Sequence, residues 1–300
     1  MAISRNQLVK ELEPGLNALF GLEYKQYENQ SAEIYTTESS DRAFEEEVML
    51  SGFAQAKVKS EGSGVAFDNA QETFTARYTN ETIALAFAIT EEAIEDNLYD
   101  RLASRYTKAL ARSMASTKQV KGASPLNNGF GTFQSGDNVA LFSTAHPTIA
   151  GTFSNTLATA ADLNETSLEQ ALIDIAALTD ERGLKIAAKG VKMIIPSALQ
   201  FTAERLMKSQ GRVSTADNDI NAIRSMGMIP QGYRVNNYLT DTDAFFITTD
   251  VPNGMKHFNR APLTTKMEGD FDTGNVRYKA RERYVFGVSD PRGIFASPGA

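Results

Sequence analysis

The chain has 300 residues, 42% hydrophobic, 22% charged and 9% aromatic, enough for a proper hydrophobic core in one large or two modest domains. Its net charge of −7 argues against a dedicated nucleic-acid binder, although a local basic strip can exist on an acidic protein. The absence of cysteine excludes disulfides, thiolate metal sites and cysteine nucleophiles, and fits assembly in a reducing cytoplasm.

The first residues, MAISRNQLVKELEPGLNALFG, show no apolar h-region and no small-residue cleavage pattern, so no signal peptide is expected. No window approaches the roughly eighteen apolar residues of a membrane span, and a soluble protein made inside the cell is expected. Residues 1–45 read as a short helix followed by a polar, tyrosine-rich stretch, EYKQYENQSAEIYTTESSD. Its apolar content is too thin to fold alone. It is expected to lie across something else, a neighbouring subunit being one candidate and a partly disordered terminus the alternative.

From Glu46 the character changes. EEVMLSGFAQAKVKS leads to a glycine-rich tip, Glu61-Gly62-Ser63-Gly64, and then to two alternating runs. One carries Phe74, Ala76 and Tyr78, the other Ile83, Leu85, Phe87 and Ile89. These predict a long hairpin, which cannot bury itself and is prone to pair with another chain. Residues 91–118 predict the strongest helix. Thr90 caps it, Glu91, Glu92, Glu95 and Asp96 crowd its start, and Lys108, Arg112 and Lys118 follow towards its end. Ile94, Leu98, Leu102, Tyr106, Leu110 and Met114 make its apolar stripe, and at 1.5 Å per residue it would extend about 42 Å.

A loop rich in Gly, Asn, Ser and Thr is expected from Gly122 to Ala161, then a compact α/β segment. There Thr166 and Glu169 read as a capping box for a helix ended by Gly183. The strand VKMII (191–195) stops at Pro196, and Ser197 with Gln200 caps a helix through Met207, closed by Gly211. IPQGYRVNNYL and DAFFITTD are two short β-prone runs. In the tail, LTTKMEGDF and NVRYKARERYVFGV flank Asp272-Thr273-Gly274, a predicted hairpin turn. In the second run Arg277, Lys279, Arg281 and Arg283 alternate with Tyr278, Ala280, Tyr284, Phe286 and Val288, so a strand here has one cationic and one mostly apolar face. No internal repeat is visible.

Little of this carries chemistry. FSTAHP sets Ser143 three residues before His146, without the strand-to-helix elbow or third orienting group that a triad needs, so a loop or turn role is favoured. His257, in MKHFNR, reads as a packed or partly exposed structural histidine rather than a general base. Two histidines and no cysteine leave only carboxylates for a metal, and the acidic runs lack calcium-loop spacing. GSG at 62–64 and GFG at 129–131 do not match phosphate loops. No catalytic, cofactor or metal site is assigned. A projecting hairpin, a thin arm and a beam-like helix instead predict a protein whose work is making interfaces.

The segments GVKMIIPSALQFTAERLM (190–207), MIPQGYRVNNYLTDTDAFFITTD (228–250), and GMKHFNRAPL with GDFDTGNVRYKARERYVFGVSDPRG resemble the major capsid proteins of tailed bacteriophages. These have the Hong Kong ninety-seven phage-type fold, and the resemblance is to the family that includes the Mu-like major head subunit. It implies an α+β fold with an N-arm (1–45), an extended hairpin or E-loop (46–88), a peripheral domain with a spine helix (89–122 and 251–300), and an axial domain (123–250). It further implies pentamers and hexamers in an icosahedral shell around packaged double-stranded DNA, which is contacted weakly and non-specifically.

Portal and decoration proteins are the other implied partners, with assembly in the host cytoplasm and no membrane. Some members carry a cleaved N-terminal scaffolding segment that this sequence lacks, so a separate scaffolding protein or an already trimmed chain is expected. Some cross-link subunits through a lysine–asparagine bond, a role that exposed Lys57 and Lys59 are not expected to take. The cationic face Arg277, Lys279, Arg281 and Arg283 is expected to meet carboxylates of neighbouring chains, with Glu45, Glu46 and Glu47 as partners. Lys57, Lys59 and Glu61 near the hairpin tip are further interface candidates. The alternatives are another self-assembling shell or surface-layer protein and, a distant third, a hydrolase using Ser143 and His146.

Overall fold

Strand alternation and one long amphipathic helix account for the larger half of the molecule, in a computed structural model that describes residues 5–90, 92–93, 99–212, 219–270 and 273–300. Strands β1 (Thr36–Ser39), β10 (Met255–Gly269), β11 (Val276–Val288) and β4 (Glu81–Ile89) form a four-stranded sheet in the order β1-β10-β11-β4. Only the β1–β10 pair is parallel. Gly274 supplies the left-handed backbone, φ 68°, that the turn between β10 and β11 requires. Asp272 of that turn lies outside the described residues.

Helix α1 (Arg5–Gln26) and helix α2 (Tyr99–Asn127) pack together on this sheet. The buried face of α2 is Ala103, Thr107, Leu110, Ala111, Met114, Ala115, Gln119, Ala123 and Leu126, a stripe in steps of three and four. Full burial of a side chain such as Leu110 or Met114 stabilises the fold by about 2 kcal/mol. Tyr106, expected in the stripe, is half exposed and meets Phe87 at the rim. The expected first turns, with Glu91, Ile94, Glu95, Asp96 and Leu98, lie outside the described residues.

The helix also runs nine residues past Lys118, through Gly122 and Pro125. Gly122 is there for contact: a Cβ on it would stand 2.5 Å from Ser31 Cβ, and Tyr35 Oη donates to its carbonyl at 2.7 Å. Tertiary packing overrides the weak helix propensity of glycine.

The N-terminal segment does not wait for a neighbour. Leu16 and Phe20 of α1 are buried with Met114, Met267 and Tyr278, and Asn17 Oδ1 accepts from Tyr278 Oη (2.8 Å) and Thr265 Oγ1 (2.7 Å). Enough apolar contact comes from residues spaced along α1 to dock it on its own chain.

The expected long hairpin is shorter at its base. Strands β2 (Phe44–Leu50) and β3 (Glu72–Thr79) pair with each other, while β4 leaves for the four-stranded sheet and pairs with β11. Both alternating runs are strands, but Asn80 separates them into two sheets. Asn80 Nδ2 donates to Ser40 Oγ (2.7 Å) and to the Arg42 carbonyl (3.0 Å) at that corner.

A second four-stranded sheet has the order β12-β9-β7-β8, from β7 (Gly190–Ile195), β8 (Tyr233–Val235), β9 (Phe245–Thr249) and β12 (Ile294–Ser297). It packs with α3 (Glu165–Ala176), α4 (Gln200–Lys208) and α5 (Ala222–Met226) around Leu168, Ile175, Met193, Ile195, Phe245, Ile247 and Phe295. The tail therefore does not stay with the first sheet: its last strand crosses to the second. A bridging core of Tyr35, Leu126, Phe142, Ile194, Phe246, Met255, Val288 and Ile294 joins the two halves.

The helix caps differ from expectation. Asn164 caps α3, its Oδ1 accepting from Ser167 N–H (2.8 Å) while Ser167 Oγ accepts from Asn164 N–H (3.0 Å). This reciprocal pair captures the start two residues before Thr166. The helix ends at Ala176, and Gly183 (φ 81°) serves a separate turn in which Asp180 Oδ1 accepts from Arg182 and Leu184 N–H. Before α4, Pro196 leads into a 3₁₀ turn, Ser197–Leu199, with no side-chain cap, and Ser209 closes the helix.

Candidate assembly surfaces

The two faces of β11 have separate fates. Tyr278, Ala280, Glu282 and Tyr284 are buried towards α2, as the alternation predicts. Glu282, the one charged residue on that face, meets Lys118 Nζ at 3.3 Å, and Lys118 lies 5.0 Å over the Tyr284 ring. Burial pushes the Glu282 carboxyl above its ordinary value, and the Lys118 charge offsets this only in part.

On the opposite face Arg277, Lys279 and Arg281 are exposed and Arg283 is half-buried. Their cross-strand neighbours on β4 are Ala88, Ala86, Ala84 and Thr82, which leave the surface beside the cations flat. On the β10 side Lys266 stands directly opposite Lys279, a like-charge pairing that is unfavourable without an anion. Arg277 pairs with Asp270 and Lys266 with Glu268. Among the described residues Lys279 and Arg281 form no ion pair, and the buried Nε atoms of Arg283 and of Arg260 in the adjoining bulge have no hydrogen-bond partner.

The carboxylates expected to face this row are held elsewhere. Ser40 Oγ donates to Glu45 at 2.8 Å, and that bond, with backbone N–H groups, holds the Glu45 carboxyl below its usual range. Glu46 lies 3.7 Å from Arg77 across the hairpin, where the guanidinium also covers the Phe44 ring at 3.9 Å. Glu47 contacts Lys256 and Ser289. Lys256 is buried between Glu47 and Glu38, the latter at 3.0 Å. Ser289 also contacts Tyr78 Oη, the Tyr78 ring meets Phe258 edge-on at 4.8 Å, and a Cβ on Gly287 would stand 2.5 Å from that ring. Ion pairs and close packing thus fasten the hairpin base to the first sheet.

The hairpin end is bare. Residues 52–71, which include Lys57, Lys59 and Glu61, are exposed throughout. Val58 is 98% and Phe67 97% exposed, with Phe53 and Val65 also largely in solvent. Asp68 accepts from Ala54 N–H at 2.7 Å, which ties the two sides below the end, and Arg182 donates to the Asn69 carbonyl at 2.6 Å, which ties the hairpin to the turn around Gly183.

A buried polar cluster escaped sequence reasoning. His146 is fully buried, with Nδ1 2.6 Å from Asp137 Oδ2 and Nε2 near the Leu141 carbonyl (3.2 Å) and Asn155 Oδ1 (3.1 Å). Burial works against the Asp137 carboxylate, but hydrogen bonds from His146, Ser135 and Val139 N–H prevail and keep its carboxyl below the usual value. Phe153 lies between the His146 ring (4.9 Å) and the Arg292 guanidinium (4.1 Å). Arg292 is paired with Glu181 (2.7 Å) and Asp290 (3.2 Å).

Asn155 Nδ2 donates to the carbonyls of Leu141 (2.7 Å) and Pro291 (3.0 Å), which ties the loop to the tail. Ser143 Oγ accepts from Ala145 N–H and is not bonded to His146, so the geometry is that of a clamp. Asp137 lies in a loop, while His146, expected in a loop or turn, opens the short strand β5 (His146–Thr148), which pairs with β6 (Gly151–Phe153). Arg292 is remote in sequence, so no local pattern announces the cluster. Among the described residues no group of three or more His, Asp or Glu is placed to hold a metal, and no helix is long and apolar enough to cross a membrane.

A family model described as phage capsid protein matches residues 72–297. Solved structures share the fold. The capsid of an empty GTA particle is 14% identical, with 91% of each chain covered and a TM-score of 0.56. The capsid of Myoviridae phage XM1 is 11% identical, with 89% of each chain covered and a TM-score of 0.55. A virus-like particle from Pyrococcus furiosus is 9% identical, covers 94% of this chain and 97% of its own, and has a TM-score of 0.53. No curated protein matches the sequence. The match over most of the chain establishes that it belongs to the phage capsid protein family, as a structural capsid protein.

Proposed function

We propose that copies of this chain associate as pentamers and hexamers into the icosahedral head of a tailed phage, around packaged double-stranded DNA. The observation that carries this reading is the hairpin end, where Val58 and Phe67 are left in water at the tip of a firmly anchored projection. Apolar side chains presented in this way gain stability only when another surface covers them.

In this arrangement residues 1–45 are the arm and 46–88 the loop that reaches over an adjacent subunit. Residues 89–122 with 251–300 form the peripheral domain, with the crossing of β12 as a bracing strand, and residues 123–250 form the axial domain. Lys279 and Arg281 meet carboxylates of a neighbouring copy. Glu61 is the remaining candidate, because Glu45 and Glu47 are engaged within their own chain and Glu46 faces Arg77 across the hairpin. Lys57 and Lys59 contribute electrostatically, without a covalent cross-link. The role is structural, not enzymatic. A separate scaffolding protein directs closure in the host cytoplasm, and a portal and any decoration protein complete the virion.

Electron microscopy of the chain co-expressed with its scaffold tests the proposal directly. Closed shells support it, whereas open sheets, filaments or a persistent monomer under all assembly conditions overturn it.

A further inference from the structure

We propose that the exposed groove between the end of α1 and the outer face of α2 is the surface through which the subunit contacts the phosphate backbone of duplex DNA. The inference rests on the shell reading, in which one face of each subunit meets packaged DNA. The groove encloses about 570 Å³ and is lined by Arg105, Lys108, Arg112, Ser113, Ser116 and Glu23, among others. Arg105, Lys108 and Arg112 recur at spacings of three and four, which places them on one side of the helix, opposite the stripe buried against the sheet. From Arg105 to Arg112 the helix rises about 10.5 Å, roughly three phosphate steps of one DNA strand along the duplex axis.

The guanidinium at the end of this row is positioned. Arg112 Nε donates to Tyr27 Oη at 2.8 Å, and Tyr27 Oη donates to Glu23 at 3.3 Å. The Tyr27 ring lies 5.8 Å beneath the guanidinium carbon. The terminal nitrogens of Arg112, and the cationic groups of Arg105 and Lys108, form no ion pair or hydrogen bond among the described residues. A fork pinned through Nε with its terminal nitrogens available suits phosphate oxygens.

The Ser113 and Ser116 hydroxyls add neutral donors of the kind that hold a nucleic-acid backbone in register. Among the described residues no aromatic ring lines the groove to stack a base, the Tyr27 ring lying beneath Arg112, so binding there is independent of sequence. Among the described residues Glu23 is the one carboxylate in the lining; it accepts from Tyr27 but keeps its charge, which weakens the attraction for phosphate. An acidic run of a second copy is a poorer occupant, since Glu45 and Glu47 are held within their own chain. Among the described residues three cations face the groove, in a chain of net charge −7, so the contact is weak and fully reversible.

Fluorescence anisotropy of a labelled 20-base-pair duplex with the full-length protein tests this. Three neutralised phosphates predict an affinity loss of about 40-fold between about 50 and 200 mM salt. The triple variant Arg105→Gln, Lys108→Gln, Arg112→Gln should lose that binding. Lys108→Gln alone, at an exposed and unpaired position, should lower the salt slope by about 1. Lys279→Gln with Arg281→Gln, on the far sheet face, should leave duplex binding unchanged.

Wild-type binding by the triple variant, absence of salt-dependent binding by the wild type, or tighter binding of a polyglutamate peptide than of duplex each overturns the proposal. Particle formation is scored separately by electron microscopy. Normal particles without duplex binding remove this inference alone, whereas absent particles remove the shell reading and leave the DNA measurement standing.

Discussion

The base and the end of the β2–β3 hairpin are built on opposite terms. At the base, Glu47 reaches Lys256 and Ser289, Tyr78 packs on Phe258, and Gly287 lets the Tyr78 ring lie against the backbone of β11. At the end, Val58 and Phe67 stand in solvent and no strand pairing is made between Gly52 and Gln71. The contacts at the base stabilise the isolated chain, and they also fix the direction of the projection before a partner arrives. A pre-oriented surface loses less entropy on association. The faces of β11 repeat the contrast: Tyr278 and Tyr284 are satisfied under α2, while Lys279 and Arg281 face outward without an ion pair among the described residues.

The largest expected effect comes from removing the end while keeping the base. Replacing residues 53–69 by a short turn should abolish shells in electron micrographs and leave the thermal midpoint of the subunit unchanged. Shells from that variant, or an unfolded subunit, would break the comparison. Next is the base itself. Lys256→Met strands Glu47 and Glu38 without their buried cation and should cost about 2–3 kcal/mol in urea unfolding, below the range for fully buried pairs because Glu38 meets solvent. An unchanged midpoint would show that the base is held by packing alone.

Arg281→Glu tests the outward face. Like-charge contact across an interface costs on the order of several kcal/mol, so shell yield should fall while the circular dichroism of the subunit stays the same. Full yield would remove Arg281 from the interface.

The smallest effect concerns His257, which lies under the base and stacks on Phe286 at 4.5 Å. Burial, helped by the charge of Lys118, lowers its pKa from 6.5 to about 4. Above pH 6.5 the ring is neutral whether the chain is folded or not, and the full contribution to stability is present. As pH falls towards 4 the unfolded chain takes up a proton that the folded ring refuses, so stability declines through that window and levels off below it. Thermal midpoints of the wild type against His257→Gln should therefore converge between pH 6.5 and 4. Parallel curves would refute the assignment. Glu282 works in the opposite direction, its folded carboxyl being raised, which is why the difference between the two proteins is the quantity to follow.

What the sequence disclosed follows from range. The alternation of β11 and the helical character of α2 are local periodicities imposed by burial of one face, and both are legible residue by residue. The caps are only partly so, because Thr166-x-x-Glu169 fits the Ser/Thr-x-x-Glu rule, whereas the reciprocal pair that forms, Asn164 with Ser167, has a serine where the rule looks for Glu or Gln. Gly122 reads as a terminator in isolation, yet its missing side chain admits Ser31. Ile294–Ser297 are all buried, so they show no alternation to reveal that they pair with β9. The engagement of Glu47 by Lys256 and the Asp137–His146 and Glu181–Arg292 pairs join positions that no pattern links. The candidate surface was therefore legible as a cationic row, while the carboxylates assigned to it were already claimed by distant cations and hydroxyls.

Cryo-microscopy of the purified protein assembled with its scaffold, imaged beside the variant lacking residues 53–69, bears most directly on the central claim. The account predicts closed icosahedral particles from the wild type, with density for the hairpin end lying over a neighbouring subunit, and dispersed folded subunits from the variant. Closed particles from both proteins, or hairpin ends that remain in solvent within the wild-type shell, would contradict it.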